Sequence, residues 1–356
     1  DKLAPMTTSR ALPVGKLPAT LLRTLLAKYA GRRGGARFDR SVVVGPGIGL
    51  DAAAIDLGKR YLIAKTDPIT FVADDIGAYV LTINANDLAS MGATPRWFLC
   101  TVLLPPGTRK SQVTSVFSQL AGACRSLHVS LCGGHTEITS AVARPVVVGC
   151  LLGECPKGRL FTAAGARVGD TILLTKGIPI EAVSVLARER AKDLRRRYSP
   201  QFLARCRRYV SKPGISVLRD AKVAVKAGGV HAMHDPTEGG LSAALYEVAE
   251  ASRVGLRIEE RAITVLPEGA RLCADFGLNP LGAIASGALI ICADPRYESD
   301  ILRRLARGGI PAASIGTVVP ARAGVRMVTR GQKPRPLPHF PVDEIARLFT
   351  ETDGGG

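Results

Sequence analysis

The sequence predicts an α+β protein of two domains, and three observations carry that prediction. The chain has 356 residues, and at about 100–200 residues per domain two domains are expected. Strand-like apolar runs mix with helix-periodic segments without strict β-α-β alternation, which favours α+β over a doubly wound sheet. A stretch rich in Gly, Pro and polar residues, 154–170, separates two such mixtures. We therefore expect an N-terminal domain over 1–160 and a C-terminal domain over 161–356.

The elements follow from pattern. Residues 17–29 (LPATLLRTLLAKY) carry leucines at 17, 21, 22, 25 and 26, a helical period with Gly31 as its stop. Short strands are expected at 42–44 and 61–64. A long helix is expected at 77–91, and a strand at 97–104 ended by Pro105-Pro106-Gly107. Residues 111–127 are helical by pattern. Strands at 129–132 and 145–152 flank a glycine-containing turn. The second unit opens with a strand at 171–175 and a helix begun by Pro179. An amphipathic helix at 215–227 stops at Gly228-Gly229. A strand at 230–233, a loop at 235–240 and a helix at 241–251 follow. Residues 281–292 contain the last strong strand, and 301–308 a late helix.

Composition narrows the function. Hydrophobic residues are 46% and charged residues 22%, a globular balance that excludes disordered, collagen-like and coiled-coil chains. The longest apolar stretches, 146–152 and 281–292, are too short to cross a bilayer. The net charge of +18 attracts polyanions. Most of the excess sits in two places: before residue 41, and in 188–212, which holds ten basic and two acidic residues. The basic segment reads as a solvated helix face. Its alternative reading, nucleic-acid binding, lacks aromatic partners beyond Tyr198 and Tyr209 for base stacking. Eight cysteines show no C-x-x-C spacing and read as buried reduced thiols. With no secretory apolar region near residue 1, a cytoplasmic location is expected.

Three aspartates stand out. Asp51 follows the glycine-rich turn 45–50, Asp67 ends a strand-like run, and Asp87 interrupts an apolar helix. Carboxylates of this kind suit a hard cation such as Mg²⁺, and nearby glycines let backbone N–H groups approach phosphate. Read alone, Asp51 and Asp67 also fit turn positions and Asp87 a helix surface. In the second half, His234-Asp235-Pro236-Thr237-Glu238-Gly239-Gly240 lies between a strand and a helix. Gly239 and Gly240 at a helix start offer N–H donors to an anion, while Asp235 and Glu238 offer carboxylates. Asp235 and Thr237 equally suit helix capping. His231 and His234, three apart on a strand, face opposite ways and make a poor metal pair. Gly133-Gly134-His135-Thr136-Glu137 reads as a third polar loop, in which His135 and Glu137 suit a nucleotide contact or a structural turn.

These segments together resemble a superfamily that contains aminoimidazole ribonucleotide synthetase (PurM), HypE-type hydrogenase maturation proteins, selenophosphate synthetase and thiamine-monophosphate kinase. The resemblance runs from Gly15-Lys16-Leu17-Pro18 to about Phe349. It is carried by Leu50-Asp51-Ala52-Ala53, Lys65-Thr66-Asp67, Asn86-Asp87-Leu88-Ala89, Gly133-Gly134-His135-Thr136 and the 234–240 segment. It is strongest toward HypE-related, AIR-synthase-related proteins. The resemblance implies a PurM-like fold, a homodimer joined through N-terminal sheets, and an enzyme that uses Mg²⁺ and ATP to phosphorylate an amide-like oxygen of a small-molecule acceptor. It implies Asp51, Asp67 and Asp87 as Mg²⁺–ATP ligands, with Asp235 approaching metal or substrate from the second domain. Asn86, His135 and Lys65 are implied nucleotide contacts, Lys65 by neutralising phosphate. A maturation partner protein is also implied.

Two departures matter. The family's usual acidic neighbour of Asp51 is Leu50 here, so one possible metal ligand is missing. HypE-type proteins carry a carbamoylated cysteine on a terminal tail, whereas the last cysteine here is Cys292, so we expect a free small molecule as acceptor. A synthetase reading is weakened because the usual Gly-Gly-Glu-Thr is Gly-Gly-His-Thr. A kinase-like reading uses the same ATP site.

Overall fold

The computed structural model describes residues 12, 15–30, 39–70 and 74–350. The expected stop at Gly31 and the sequence after Thr350 lie outside the described residues. Two sheets organise the chain. The first contains β1 (Val42–Val44), β2 (Ala53–Asp56), β3 (Arg60–Ile69), β4 (Thr94–Leu104), β5 (Ser130–Ile138) and β6 (Val146–Pro156), in the order β1-β2-β3-β6-β4-β5. All its pairings are antiparallel except β4 with β5.

The second sheet contains β7 (Thr171–Thr175), β8 (Val230–His234), β9 (Gly255–Glu259), β10 (Ile290–Ala293), β11 (Ala312–Val319), β12 (Val325–Val328) and β13 (Arg335–Pro336), in the order β13-β12-β9-β11-β7-β10-β8. The strand expected within 281–292 is therefore not the last. β11 to β13 are more polar or shorter and give a weaker apolar signal.

One face of the first sheet packs under α2 (Ile76–Ser90) and α3 (Lys110–Leu127), with Ile63, Phe98, Val102 and Leu151 buried against Leu81, Leu88 and Leu120. Alternation along β4 and β6 leaves the other face, Leu99, Leu103, Val148 and Leu152, only partly covered.

The second sheet is covered on both faces. Ile172 and Leu174 of β7 pack with α8 (Gly240–Ser252), and Leu173 packs with α7 (Leu218–Ala227) and α10 (Glu298–Arg307). Between the sheets, α4 (Ile180–Glu189), α5 (Ala191–Leu194), α6 (Pro200–Arg207) and α9 (Pro267–Asp275) contribute to the same apolar cluster as the first sheet. A short α11 (Arg347–Thr350) closes the described chain.

One expectation changes. Residues 133–137 are not a loop but the middle of β5, because Gly133 (φ 155°) and Gly134 (φ 145°) let the strand hug β4. A Cβ on Gly134 would lie 1.9 Å from the Cys100 carbonyl oxygen. The N-terminal helix, α1 (Ala19–Leu25) with a π-helical turn over Leu26–Ala30, buries no residue and lies on the surface. Among the described residues no helix is long and apolar enough to cross a membrane.

Candidate active site

β3 alternates Ile63, Lys65, Asp67 and Ile69 onto the face that α2 covers. α2 presents Asp87 to the same place. Lys65 Nζ lies 3.2 Å from Asp87 Oδ1 and 3.7 Å from Asp67 Oδ2. Burial opposes the charge on Lys65, but Asp87, Asp67, Asp51 and Asp235 raise its pKa above the ordinary lysine value. It therefore stays an ammonium ion. The strand does not point it away.

Asp51 arrives from the turn before β2. Gly49 (φ 71°) makes that turn possible and brings it against α8; a Cβ there would lie 2.9 Å from the Glu247 carbonyl oxygen. Ser90 Oγ donates to Asp51 Oδ2 at 2.8 Å.

The second sheet answers from β8. His234 Nδ1 lies 2.7 Å from Asp51 Oδ1 as an ion pair, without hydrogen-bond alignment. Its Nε2 lies 2.7 Å from Glu247 Oε2 on α8. Burial disfavours the imidazolium, but Asp51 and Glu247 outweigh it and hold the His234 pKa well above the ordinary histidine range. Asp235, the next residue, is 2% exposed, and neither carboxylate oxygen has a hydrogen-bond partner. Burial and then the Asp51 charge push its pKa up to about 7. Asp87 Oδ2 is also buried and unpartnered, and burial raises the Asp87 pKa although Lys65 opposes it.

Asp51, His234 and Asp235 each offer a ligand atom, all within 4.8 Å of one another. The carboxylates singled out in sequence thus converge from three elements of one half and one loop of the other. Unpartnered buried carboxylate oxygens cost free energy unless a cation or donor meets them.

Other expected residues fall elsewhere. Asn86 is fully buried and engaged: its Nδ2 donates to the Ile215 carbonyl at 2.8 Å and its Oδ1 accepts from Val217 N at 2.9 Å. It ties α2 to the segment before α7 and leaves no amide group for a nucleotide. Gly239 and Gly240 do not present free donors. The Gly239 N–H donates to Asp343 Oδ2 at 2.7 Å and the Gly240 N–H to the Thr237 carbonyl at 2.9 Å. Their glycine character serves packing, since a Cβ on Gly240 would lie 2.6 Å from the Leu281 carbonyl oxygen. His135 is exposed on β5 and pairs with Glu137 at 3.3 Å. Its row runs through Thr101 and Val148 to Pro68, so at about 4.8 Å per strand it lies three strands from β3. His231 pairs with Asp170 at 2.8 Å, apart from His234.

Sequence reasoning misses three participants. It meets His234 only as half of a poor metal pair, passes over Glu247 within a helix, and meets Lys16 only within a resemblance motif. Lys16 Nζ donates to Thr237 Oγ1 at 3.2 Å. Lys16 is exposed; desolvation by the surrounding protein opposes its charge, but Glu247 and Glu238 outweigh that and raise its pKa. Arg23 pairs with Glu250 of α8 at 2.6 Å, so the N-terminal segment is strapped to the second half beside the site. The i-to-i+13 spacing of His234 and Glu247, from a strand end to the next helix, is the signal available for that pair.

The basic segment is neutralised in part. Arg188 pairs with Asp75, Arg190 with Asp193, Arg197 with Asp275 and Arg205 with Glu268. Six cysteines are buried, Cys150 is half-buried and Cys132 exposed, and all eight are free thiols.

Comparison with known proteins gives the family and the fold. Residues 49–155 match the N-terminal domain, and residues 167–328 the C-terminal domain, of AIR synthase related protein. The carbamoyl dehydratase HypE of Cupriavidus necator is 30% identical over 310 residues, covering 83% of this chain and 84% of that protein. In fold, the chain matches HypE in a HypE–HypF complex with a TM-score of 0.73 at 18% identity, covering 90% of this chain and all of that one. It matches HypE in complex with ATP with a TM-score of 0.67 at 23% identity, covering 92% and 96%.

Proposed function

This chain belongs to the AIR synthase related family, and we propose from that premise that it is a HypE-like, ATP-dependent enzyme that activates an amide-type oxygen by phosphorylation. A similar protein is named a carbamoyl dehydratase, and a structure of similar fold holds ATP. The observation that carries the reading to this chain is the set of buried, unpartnered oxygens on Asp87 and Asp235, gathered with Asp51 around Lys65 and His234.

That donor set fits Mg²⁺, which takes hard oxygen ligands and leaves positions for phosphate and water. Asp51, Asp87 and Asp235 would hold the ion, with Asp67 at the rim. Bound there, it would supply charge neutralisation for phosphoryl transfer. Lys65 offsets phosphate charge from the strand side and Lys16 from the N-terminal strap. His234 holds Asp51 in place between the halves. Phosphorylation of an amide oxygen makes it a leaving group. The division of labour follows a boundary near residue 160: nucleotide and metal mainly on the first unit, acceptor on the second.

The protein works as a homodimer in this reading. The uncovered apolar face of the first sheet and its edge strand β5, exposed along its whole length with Leu131 at 40% and Ile138 at 57%, support it. A partner protein of the kind seen in the HypE–HypF complex is a second expected contact.

Isothermal titration with ATP, with Mg²⁺ and with chelator, tests the site. We expect Mg²⁺-dependent binding that Asp67→Asn weakens and Asp87→Asn weakens further. Equal affinity in wild type and both variants, with the fold intact, would overturn the assignment.

A further inference from the structure

A cavity of about 220 Å³ lies apart from the site already described, where the segment from Arg190 to Arg197, which contains α5, meets the C-terminal end of α9. Arg190, Arg196 and Arg197 line it from the first side, Asp275 and Phe276 from the second. Arg190 Nε donates to Asp193 Oδ2 at 2.7 Å, and its guanidinium lies over the Phe276 ring, 5.0 Å from the centroid. Arg197 Nη1 donates to Asp275 Oδ1 at 2.9 Å. A guanidinium has more N–H donors than these bonds use, so both arginines can serve a further acceptor. Arg196 lines the same cavity and pairs with no carboxylate among the described residues.

Along the same segment the charge is one-sided. Lys192, Arg195, Arg208 and Lys212 are exposed and also lack a carboxylate partner among the described residues. Like charges crowded on one segment repel one another, and an anionic partner relieves that repulsion.

The cavity wall decides which anion fits. Single-stranded nucleic acid binds on open aromatic faces, and here they are taken. Arg190 covers Phe276. Tyr198 stacks on Phe202 at 4.3 Å and gives its hydroxyl to Asp275 at 2.6 Å. Tyr209 is buried with its hydroxyl on Glu268. A phosphate backbone also has no N–H group for Asp193 and no apolar side chain for Leu194 and Phe276, which complete the wall. An acidic peptide brings all three: carboxylates for the arginine forks, backbone N–H groups for Asp193 and an apolar side chain for the floor. Pockets for whole cofactors run to about 300–1,000 Å³, so this smaller one suits a side chain or two.

We propose that this cavity, with the arginine-rich segment that lines it, docks an acidic segment of a partner protein, a carboxylate held by Arg196 and an apolar side chain set against Leu194 and Phe276. The cavity shares no residue with the Asp51–Asp87–Asp235 cluster, so the proposal goes beyond the ATP-dependent reading and stands or falls without it.

Fluorescence anisotropy of the full chain with a labelled peptide of repeated Glu-Glu-Leu is the test. The controls are the same peptide with Ser for Leu, the same peptide with Lys for Glu, and a single-stranded RNA of equal length. We expect saturable binding of the Glu-Glu-Leu peptide that added salt weakens. Arg196→Glu should weaken it about ten-fold, the loss of roughly one charge-assisted hydrogen bond. Replacing Leu by Ser in the peptide should cost about as much. Arg208→Glu makes the same change of charge at a residue that does not line the cavity, and should weaken binding by about two-fold. Both arginines are exposed, and circular dichroism checks that both variants fold. No binding by wild type, equal binding of the Ser or Lys peptide, RNA held as tightly as the Glu-Glu-Leu peptide, or equal losses in the two folded variants would each overturn the proposal.

Discussion

The two sheets solve the same packing problem differently. In the second, every residue of β7 and of β10 is buried, because helices cover both faces. In the first, α2 and α3 cover one face only, and strands β4 and β6 alternate buried with half-exposed apolar residues. A sheet finished on both sides is self-sufficient. A sheet with an apolar open face and a bare edge leaves apolar surface and unpaired backbone groups to solvent. The site lies where the unfinished half meets the finished one, with Asp51, Asp67 and Asp87 from the first and His234 and Asp235 from the second.

The largest expected effect breaks the functional side of this contrast. Asp87→Asn removes a buried carboxylate from the first half's share of the site. We expect ATP turnover to fall about 10²–10³-fold, as several kcal/mol of metal-assisted charge stabilisation is lost. Asp170→Asn, which removes the partner of His231 in the second half, should leave turnover within about two-fold, because that pair lies outside the reacting cluster. Steady-state ADP release reads both. Equal losses would mean that buried carboxylates matter here for folding alone.

Next is the open face itself. Val148 stands on it at the middle of β6. Val148→Lys places a charge where a second copy would pack, and burying an unpaired charge costs several kcal/mol. Light scattering should give twice the chain mass of 37.5 kDa for wild type and the single mass for the variant. A thiol reagent adds a local readout, since Cys150 lies on the same face. It should label faster in the variant than in wild type, while Cys292, 1% exposed in the second sheet, stays unlabelled in both. A wild-type monomer would sink the dimer.

Glycines sharpen the contrast at smaller scale. A Cβ on Gly134 would lie 1.9 Å from the Cys100 carbonyl oxygen, and one on Gly316 would lie 2.2 Å from the Arg257 carbonyl oxygen. Gly134 sits on an edge strand that can shift outward. Gly316 sits in β11, held between β9 and β7. We expect Gly316→Ala to cost about 2–3 kcal/mol of stability and Gly134→Ala about 1 kcal/mol, with the second change weakening dimerisation more than it lowers the melting temperature. The reverse order in denaturant melts would refute the edge-strand argument.

Much of this is legible in the sequence because it is local. The apolar runs place β3, β4, β6 and β7, and helical period places α2, α3 and α8 to within a few residues. Asp51, Asp87 and Asp235 stand out by their neighbours. What stays hidden is pairing in space. No pattern says that the Gly239 N–H is taken by Asp343, a hundred residues on, or that Asn86 is consumed by the backbone around Ser216. The Gly133-Gly134 pair reads as a turn because glycine usually signals one. Here its missing side chains let an edge strand lie close to its neighbour, which only tertiary contact decides. Likewise Lys16 enters the site through a surface strap whose apolar period marks a helix that buries nothing.

The last expected effect separates the two faces of the first sheet by pH. Cys155 lies on β6 under the helices, fully buried, and burial raises its thiol pKa to about 11 from 9.0. Between about pH 9 and 11 the folded protein keeps a proton that the unfolded chain has lost. The folded state then binds more protons, so stability falls as pH rises through that window. Below pH 9 both states hold the proton and the contribution is complete. A rise of that size bounds the loss at about 2–3 kcal/mol. Cys155→Ala should start less stable at pH 8, because it leaves a small cavity. It should then lose less stability than wild type between pH 9 and 11, so the two denaturation curves converge. Parallel curves would show that Cys155 is not as dry as its place beneath α2 requires, and that the covered face of the first sheet admits water much as the open one does.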